Sequence, residues 1–222
     1  MRLYRFFKEQ YMDLNERNES MRDFFNRKAA ECYDEVHAVF MRTKEMITEN
    51  LPDGTKKVLD LGAGTGLELI YLFNRFADAQ VFAADISENM LAELDKRDFA
   101  NKVTKIVGDF FAVDLGKDYD AVISTSALHH FLKDDKKILF DRIYKALKPG
   151  GIFINSDKYA NNPEEEAACL ADYYKNKENR PHIDTPITVE AESELLKKAG
   201  FEIVDIIECD AEYYRLIKAK KA

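Results

Sequence analysis

The chain has 222 residues, 46% of them hydrophobic, which is enough for one compact domain with a full core but not for a second large domain. Its net charge at pH 7 is −8, and no cluster of Lys and Arg stands out, so a nucleic-acid partner is not expected. The one basic run, residues 218–221, is interpreted as a solvated tail. No apolar stretch reaches the ~20 residues that a membrane span needs, and residues 1–8 lack the apolar core of a signal peptide. A cytoplasmic protein without a membrane partner is therefore expected.

Cysteine usage agrees with that compartment. Cys32, Cys169 and Cys209 are odd in number and show neither a C-x-x-C pair nor metal-ligand spacing, so we interpret them as reduced thiols. No metal ligands are assigned, and the sequence does not decide whether a metal assists. It does not decide the oligomeric state either, although a homodimer is compatible with it.

The chain opens with a segment, residues 1–54, that we predict to be an N-terminal helical cap. From Met21 to Ile47 apolar residues recur at steps of three and four, the period of one amphipathic helix or two short ones. Proline and glycine at Pro52 and Gly54 then end the helix before the first strand.

Residues 55–157 alternate between short apolar runs and helical patterns, which predicts a parallel sheet covered by helices on both faces. Each run is rich in Val, Ile, Leu or Phe and is followed by turn residues. The predicted strands lie near 57–61, 80–84, 103–107, 120–124 and 151–155, and the predicted helices near 66–75, 88–95 and 136–147.

The last part of the chain departs from this alternation. Residues 158–199 form an insert, in which Asn162, Pro163 and the three acids after them predict the start of a helix. In residues 200–222 the apolar runs 201–207 and 212–217 lie so close together that we predict an antiparallel strand pair.

The turn after the first predicted strand carries the strongest functional signal. Asp60 ends an apolar run, and Gly62, Gly64 and Gly66 then lead into a helix, so backbone N–H groups face a ligand at the carboxyl end of a strand. The spacing is G-x-G-x-G and not the G-x-G-x-x-G of dinucleotide binders. This favours a nucleoside without a diphosphate, and Asp85, at the end of the next strand, is placed to accept hydrogen bonds from both ribose hydroxyls.

These motifs, with others that follow in order, resemble the class I S-adenosylmethionine-dependent methyltransferases over roughly residues 24–218. The resemblance implies a Rossmann-like, mostly parallel seven-stranded sheet in the order 3-2-1-4-5-7-6, with strand seven antiparallel. It also implies S-adenosylmethionine as cofactor, S-adenosylhomocysteine as product and in-line transfer of a methyl group to a small-molecule substrate. The matching stretches are residues 58–66, 83–87, 107–110, 119–124 with 129–131, and 147–151.

The resemblance also assigns roles in cofactor binding. Asp60 and the glycine loop face the amino-acid end, Asp85 binds the ribose, and Asp109 lies near the adenine amino group. The full predicted set is Tyr33, Asp60, Gly62, Ala63, Gly64, Gly66, Asp85, Ile86, Met90, Asp109, Phe110, Ser124 and Thr125. Ile86 and Met90 would sandwich the adenine, Ser124 and Thr125 would line the methionine arm, and Tyr33 would reach the cofactor carboxylate.

The acceptor side is less defined by the sequence. His129 and, more weakly, His130 follow the fourth strand and are candidates for the base that takes a proton from the acceptor. Tyr159, His182 and Asp184 are weaker candidates for binding the acceptor, and each also has a plain packing or surface interpretation. The sequence leaves open whether oxygen, nitrogen, carbon or sulfur is methylated.

Two other functions remain open at this point. A non-catalytic S-adenosylmethionine-binding protein could share the fold, because a fold alone does not establish activity. A nicotinamide-dependent reductase is disfavoured by the glycine spacing and by the lack of a second nucleotide-binding half.

Overall fold

A computed structural model describes residues 20–29, 33–178, 183–209 and 211–222. Its strands form one sheet in the order 3-2-1-4-5-7-6, in which the last strand is antiparallel to both of its neighbours and the other neighbours are parallel. This confirms the predicted sheet, its strand order and its reversed seventh strand. The strands are β1 (Lys57–Leu61), β2 (Gln80–Asp85), β3 (Val103–Val107), β4 (Tyr119–Thr125), β5 (Leu147–Lys158), β6 (Phe201–Glu208) and β7 (Tyr214–Lys221).

Helices cover the sheet and precede it. Short 3-10 turns at Ala38–Phe40, Ala100–Lys102 and Leu128–His130 accompany them. No helix in the described ranges is both long enough and apolar enough to cross a membrane. The helices are α1 (Met21–Ala29), α2 (Tyr33–His37), α3 (Met41–Asn50), α4 (Leu67–Arg75), α5 (Glu88–Leu94), α6 (Lys133–Ala146), α7 (Pro163–Asn176) and α8 (Val189–Lys198).

Side-chain alternation along the central strands divides the core into two layers. Leu59 and Leu61 of β1 belong to the layer beneath α6 and α8, whereas Val58 belongs to the layer beneath α3 and α4. Burying one such side chain contributes about 1.5–3 kcal/mol. Because both faces are covered, the open part of the sheet is the edge where its parallel strands end.

The strand order locates the crevice for a ligand. The chain leaves β1 toward β2 on one side and leaves β4 toward β5 on the other, so the connections diverge between the carboxyl ends of β1 and β4. Ligands of open α/β sheets bind at such switch points. The glycine loop after β1 and the histidines after β4 therefore face the same crevice.

The predicted helix start in the insert is confirmed. Asn162 caps α7, its Oδ1 accepting a 2.8 Å hydrogen bond from the backbone N–H of Glu165. Proline at the first turn and acids beside the positive end of the helix dipole complete this start.

The last strand differs from its prediction. β7 ends at Lys221 instead of residue 217, so the basic run 218–221 belongs to the sheet and is not a solvated tail. Lys221 Nζ donates hydrogen bonds of 2.6 Å to the carbonyls of Tyr144 and Leu147 at the end of α6, where the helix dipole favours a cation. Its ammonium caps a neighbouring helix, which a count of charges along the sequence does not reveal.

Candidate active site

The glycine loop is held by the strand beside it. The N–H groups of Gly62 and Ala63 donate to the carbonyl of Ala84 at 2.8 and 3.2 Å, and Gly66 starts α4 with a φ of 74°. Gly62 has a φ of 79°, and a Cβ added there would lie 2.4 Å from Cβ of Ala127. Glycine is therefore needed for both conformation and close approach.

Asp60 lies under this loop with no exposed surface. Neither of its carboxylate oxygens has a hydrogen-bond partner among the described residues. Burial, together with the neighbouring carboxyl of Glu68, raises the pKa of Asp60 well above its usual value. A cationic ligand group beside this carboxyl would favour its ionised form.

Asp85 connects the second strand to the glycine loop. Its Oδ2 accepts from the N–H of Gly64 at 2.9 Å, and its Oδ1 accepts from the N–H of Ser87 at 2.8 Å. Burial raises the pKa of Asp85 to about 6, although these backbone hydrogen bonds oppose the rise. Each oxygen keeps a second lone pair that a ligand hydroxyl could use.

The residues predicted to surround the adenine have different environments. Met90 is buried at the start of α5, and Ile86 is half-buried. Asp109 is exposed and accepts a 2.9 Å hydrogen bond from the N–H of Phe111, which gives it a local turn role. Phe110 is buried beside Phe131.

Ser124 and Thr125 end β4, and their hydroxyls differ in hydrogen bonding. Ser124 Oγ donates a 2.8 Å hydrogen bond to the carbonyl of Leu61 and so joins β4 to β1. Thr125 Oγ1 is buried without a hydrogen-bond partner among the described residues. Of the two hydroxyls, that of Thr125 is the one placed to meet a ligand.

The helical cap reaches the glycine loop through Asp34. Asp34 accepts a 2.6 Å hydrogen bond from Thr65 Oγ1 and forms an ion pair with Arg97, which also donates to the carbonyl of Thr65 at 3.1 Å. Tyr33 stacks on His37, with ring centroids 3.8 Å apart. The cap is thus attached directly beside the place where the cofactor is expected.

His129 forms a buried pair with Asp157 at the other end of the crevice. Its Nδ1 lies 2.6 Å from Asp157 Oδ1, and its backbone N–H donates 3.0 Å to Oδ2. The His129 side chain is 9% exposed and that of Asp157 is 1% exposed. Burial alone would raise the pKa of Asp157, but the charge and hydrogen bond of His129, together with Lys136, hold it below its usual value.

Further polar groups surround this pair. His130 Nδ1 contacts the carbonyl of Ile183 at 2.6 Å. Asp184 accepts from Lys158 Nζ at 2.9 and 3.0 Å, and although burial opposes it, this ammonium and the charge of His129 lower the pKa of Asp184. His182, the remaining predicted residue of this segment, lies outside the described residues.

Tyr159 follows β5 and takes part in a buried polar network. Its hydroxyl donates a 2.6 Å hydrogen bond to Glu192 and accepts a 3.0 Å hydrogen bond from Asn155, and all three side chains are buried. Burial raises the pKa of Tyr159 well above its usual value. The Tyr214 hydroxyl lies 3.1 Å from Ser126 Oγ, and burial, with the charge of Asp157, raises the pKa of Tyr214.

His37 brings a third imidazole to this region from the cap. Burial lowers its pKa to about 4, although the 2.9 Å contact of its Nδ1 with the carbonyl of Tyr33 opposes this, and the charges of Lys44 and His129 add to the lowering. Phe40, at the end of the same turn, stacks on Tyr214 at 5.1 Å between ring centroids. The cap therefore covers the crevice at both ends.

Comparisons with known proteins agree with this geometry. A family profile described as "Methyltransferase domain" matches residues 58–151, which include the glycine loop, Asp85 and His129. The chain belongs to the class I S-adenosylmethionine-dependent methyltransferases.

Individual relatives cover different shares of the chain. Carboxy-S-adenosyl-L-methionine synthase of Nautilia profundicola is 26% identical over 72% of this chain and 76% of its own length. Phosphoethanolamine N-methyltransferase 1 of Arabidopsis thaliana is 30% identical over 79% of this chain, which spans only 35% of that protein. The solved structure of human N-acetylserotonin methyltransferase with S-adenosylmethionine has a TM-score of 0.69 and 22% identity, and the match covers 90% of this chain and 56% of that one.

The methyltransferase crevice fits its cofactor, S-adenosylmethionine, which carries an ammonium and a sulfonium charge. The unpartnered oxygens of Asp60 are available to a cationic group of the ligand. Asp85 retains acceptor capacity where a ribose would lie.

Sequence reasoning missed several residues of this methyltransferase site. Asp157 was missed because the fifth strand was predicted to end at 155, whereas β5 continues to Lys158. Functional groups lie at the carboxyl ends of parallel strands, so a fifth strand predicted to be longer would have indicated Asp157. His37 and Tyr214 show no such signal, because only the folded chain brings the cap and β7 to the crevice.

Proposed function

We propose that this methyltransferase transfers the methyl group of S-adenosylmethionine to a small polar acceptor whose nucleophile, an amine or a hydroxyl, must lose a proton. The observation that carries the proposal is the buried His129–Asp157 pair at the β4–β5 end of the crevice. Asp60 and Asp85, expected to bind the amino-acid end and the ribose, lie in β1 and β2, so the pair lies on the side where we expect an acceptor to approach.

The pair has the properties of a general base. Asp157 accepts the Nδ1–H of His129, so Nε2 carries the lone pair that can take a proton from the acceptor. The ionised carboxylate then stabilises the imidazolium that forms. S-adenosylmethionine supplies an electrophilic methyl group on a positively charged sulfur. The cap holds the acceptor in line and excludes water, and such alignment is the main source of rate in a displacement of this kind.

The lining of this end supports a polar acceptor. Lys158 and Asp184 form an ion pair, and Tyr214 places its hydroxyl beside Ser126. Relatives named phosphoethanolamine N-methyltransferase and malonyl-[acyl-carrier protein] O-methyltransferase act, by their names, on nitrogen and oxygen. An ammonium or a hydroxyl gives His129 a proton to remove, whereas a thioether would not.

Mass spectrometry of a metabolite extract incubated with the protein and methyl-labelled S-adenosylmethionine tests this function. We expect one or more small molecules to gain the labelled methyl group, together with an equal amount of S-adenosylhomocysteine. A matched incubation with His129→Asn should lose the product by about 10²-fold or more. Modification of the cofactor itself, as the name of the Nautilia relative implies for that protein, would contradict the proposal. So would cofactor binding without any turnover, the result expected of a non-catalytic binding protein.

The cofactor residues can be tested by binding alone. Asp85→Ala removes the proposed acceptor of the ribose hydrogen bonds. It should weaken binding of S-adenosylhomocysteine by about 10- to 100-fold, the effect of losing one or two hydrogen bonds to a charged group. Asp114→Ala is the matched control, because Asp114 is exposed, accepts a 2.9 Å hydrogen bond from the N–H of Gly116 within its own turn, and is not among the predicted cofactor residues. Equal losses in both variants would reject the assignment of the ribose to Asp85.

A further inference from the structure

A second buried acid lies beside Asp60. Glu68, in the first turn of α4, is 3% exposed, and its Oε2 accepts a 3.2 Å hydrogen bond from Lys44 Nζ of the cap. Glu68 Oε1 has no hydrogen-bond partner among the described residues, and the same is true of both oxygens of Asp60. Three carboxylate oxygens are therefore buried in one place without a donor.

The charges of this cluster do not balance if both acids are ionised. Lys44 pairs with Glu68 and its charge also acts on Asp60, whereas Asp85 on β2 adds further negative charge. Two adjacent carboxyls in a desolvated site avoid this repulsion by sharing a proton. Glu68 is close enough to hydrogen-bond with Asp60 as soon as one of the two is protonated. That single proton would supply the missing donor.

We propose that Asp60 and Glu68 share one proton in the ligand-free protein and release it to solvent when the cofactor's ammonium group binds. The ammonium brings the charge and the N–H donors that the proton had supplied, so the site stays balanced against Lys44. Glu68 and Lys44 are then positioning residues that set the affinity for the amino-acid end of the cofactor. This inference rests on S-adenosylmethionine being the cofactor.

Proton release can be measured without turnover, by titration calorimetry with S-adenosylhomocysteine in phosphate and in Tris at about pH 7.5. Buffers with different ionisation enthalpies give different apparent binding enthalpies in proportion to the protons released. We expect release of about one proton per ligand bound. At this pH Asp85, whose pKa is raised by burial to about 6, is already ionised and does not contribute.

Three controls separate the cluster from the rest of the site. Methylthioadenosine shares the ribose and adenine but lacks the ammonium, so its binding should release no proton. Glu68→Gln leaves a single acid beside Lys44, which should abolish release while ligand binding persists. Asp60→Asn should also abolish release, and thermal unfolding of both variants establishes that they fold.

The outcomes distinguish this inference from the identity of the cofactor. Binding of S-adenosylhomocysteine with no dependence on buffer would overturn the shared proton and leave the methyltransferase assignment intact. Release of a full proton when the ligand binds to Glu68→Gln would likewise overturn the shared proton, since this variant lacks the second carboxyl. Failure of S-adenosylhomocysteine to bind at all would reject both.

Discussion

His129 and Asp157 lie 28 positions apart in the sequence and meet through two contacts, 2.6 Å from Nδ1 to Oδ1 and 3.0 Å from the backbone N–H to Oδ2. The second contact fixes the turn that carries the imidazole, and the first fixes its tautomer. Orientation and protonation of the ring are thus set by a single carboxylate at the end of β5. This relationship gives the proposed base a defined geometry in the ligand-free protein.

Asp157→Asn should lower kcat by at least about 10- to 100-fold, the usual cost of losing the carboxylate behind a functional histidine. An amide can donate to Nδ1, which would favour the wrong tautomer and remove the lone pair from Nε2. Affinity for S-adenosylhomocysteine should stay near that of the wild type, because Asp60 and Asp85, expected to bind its amino-acid end and ribose, lie at the other end of the crevice. Steady-state kinetics with the identified acceptor, beside binding titrations, check both expectations. Equal losses in kcat and cofactor affinity would indicate a general structural role instead.

Gly62→Ala should destabilise the protein by about 2–4 kcal/mol, because a left-handed residue costs about 1–2 kcal/mol and the new Cβ meets Ala127. Gly54→Ala is the matched control, since Gly54 has a φ of 78° but no atom within 4 Å of an added Cβ. It should cost only the conformational part, about 1–2 kcal/mol. Urea unfolding measures both.

The close contact can also be relieved directly. Combining Gly62→Ala with Ala127→Gly removes the facing Cβ and should restore the part of the loss that Gly54→Ala does not show. A double variant no more stable than Gly62→Ala would mean that the clash with Ala127 is not the cause.

The raised pKa of Asp85 makes the ligand-free protein sensitive to pH. Burial raises it from 3.8 to about 6, so the folded state prefers the protonated acid. The contribution of Asp85 to the free energy of unfolding is fully present below about pH 4, and it is lost as the pH rises through about 6. Asp85→Asn, which cannot ionise, should therefore gain about 2 kcal/mol relative to the wild type between about pH 4.5 and 7.5. Unfolding free energies of the wild type and Asp85→Asn at the two pH values test this. If the difference between the two proteins is the same at both pH values, ionisation of Asp85 does not destabilise the folded state.

The parts of the fold that the sequence predicts are those set by local chemistry. Alternating apolar runs located the strands, and the turn at Gly62 and Gly66 needs backbone angles that only glycine adopts easily. The seven-stranded order came from resemblance to a family and not from the residues themselves. The structure bears it out.

The parts that the sequence did not predict depend on contacts between distant segments. Asp34 meets Thr65, Lys44 meets Glu68, and His129 meets Asp157, each pair joining different elements of the fold. No periodicity relates such positions. Charged residues also mislead in helices, because a pattern of Lys and Asp usually marks a solvated face.

Lys136 in α6 is a charged residue whose sequence pattern suggests exposure although its side chain is buried. It lies in the sequence Lys-Asp-Asp-Lys-Lys, yet its side chain is 2% exposed and forms a 2.9 Å ion pair with Glu192, which is fully buried. Glu192 also accepts hydrogen bonds from Asn155 and Tyr159. Lys136→Met should cost about 3–5 kcal/mol, because it leaves a buried carboxylate without its cation.

A comparison with a surface pair on α8 separates burial from mere charge pairing. Lys197→Met breaks an ion pair with Glu194 whose side chains are 55% and 59% exposed, and such pairs contribute at most about 1 kcal/mol. The double variant Lys136→Met/Glu192→Gln removes the stranded charge but keeps an acceptor for Asn155 and Tyr159, so it should be more stable than Lys136→Met alone. Urea unfolding of the three variants measures these differences. If Lys136→Met costs no more than Lys197→Met, Glu192 is not held as a charge, and the neutral acid already satisfies the network.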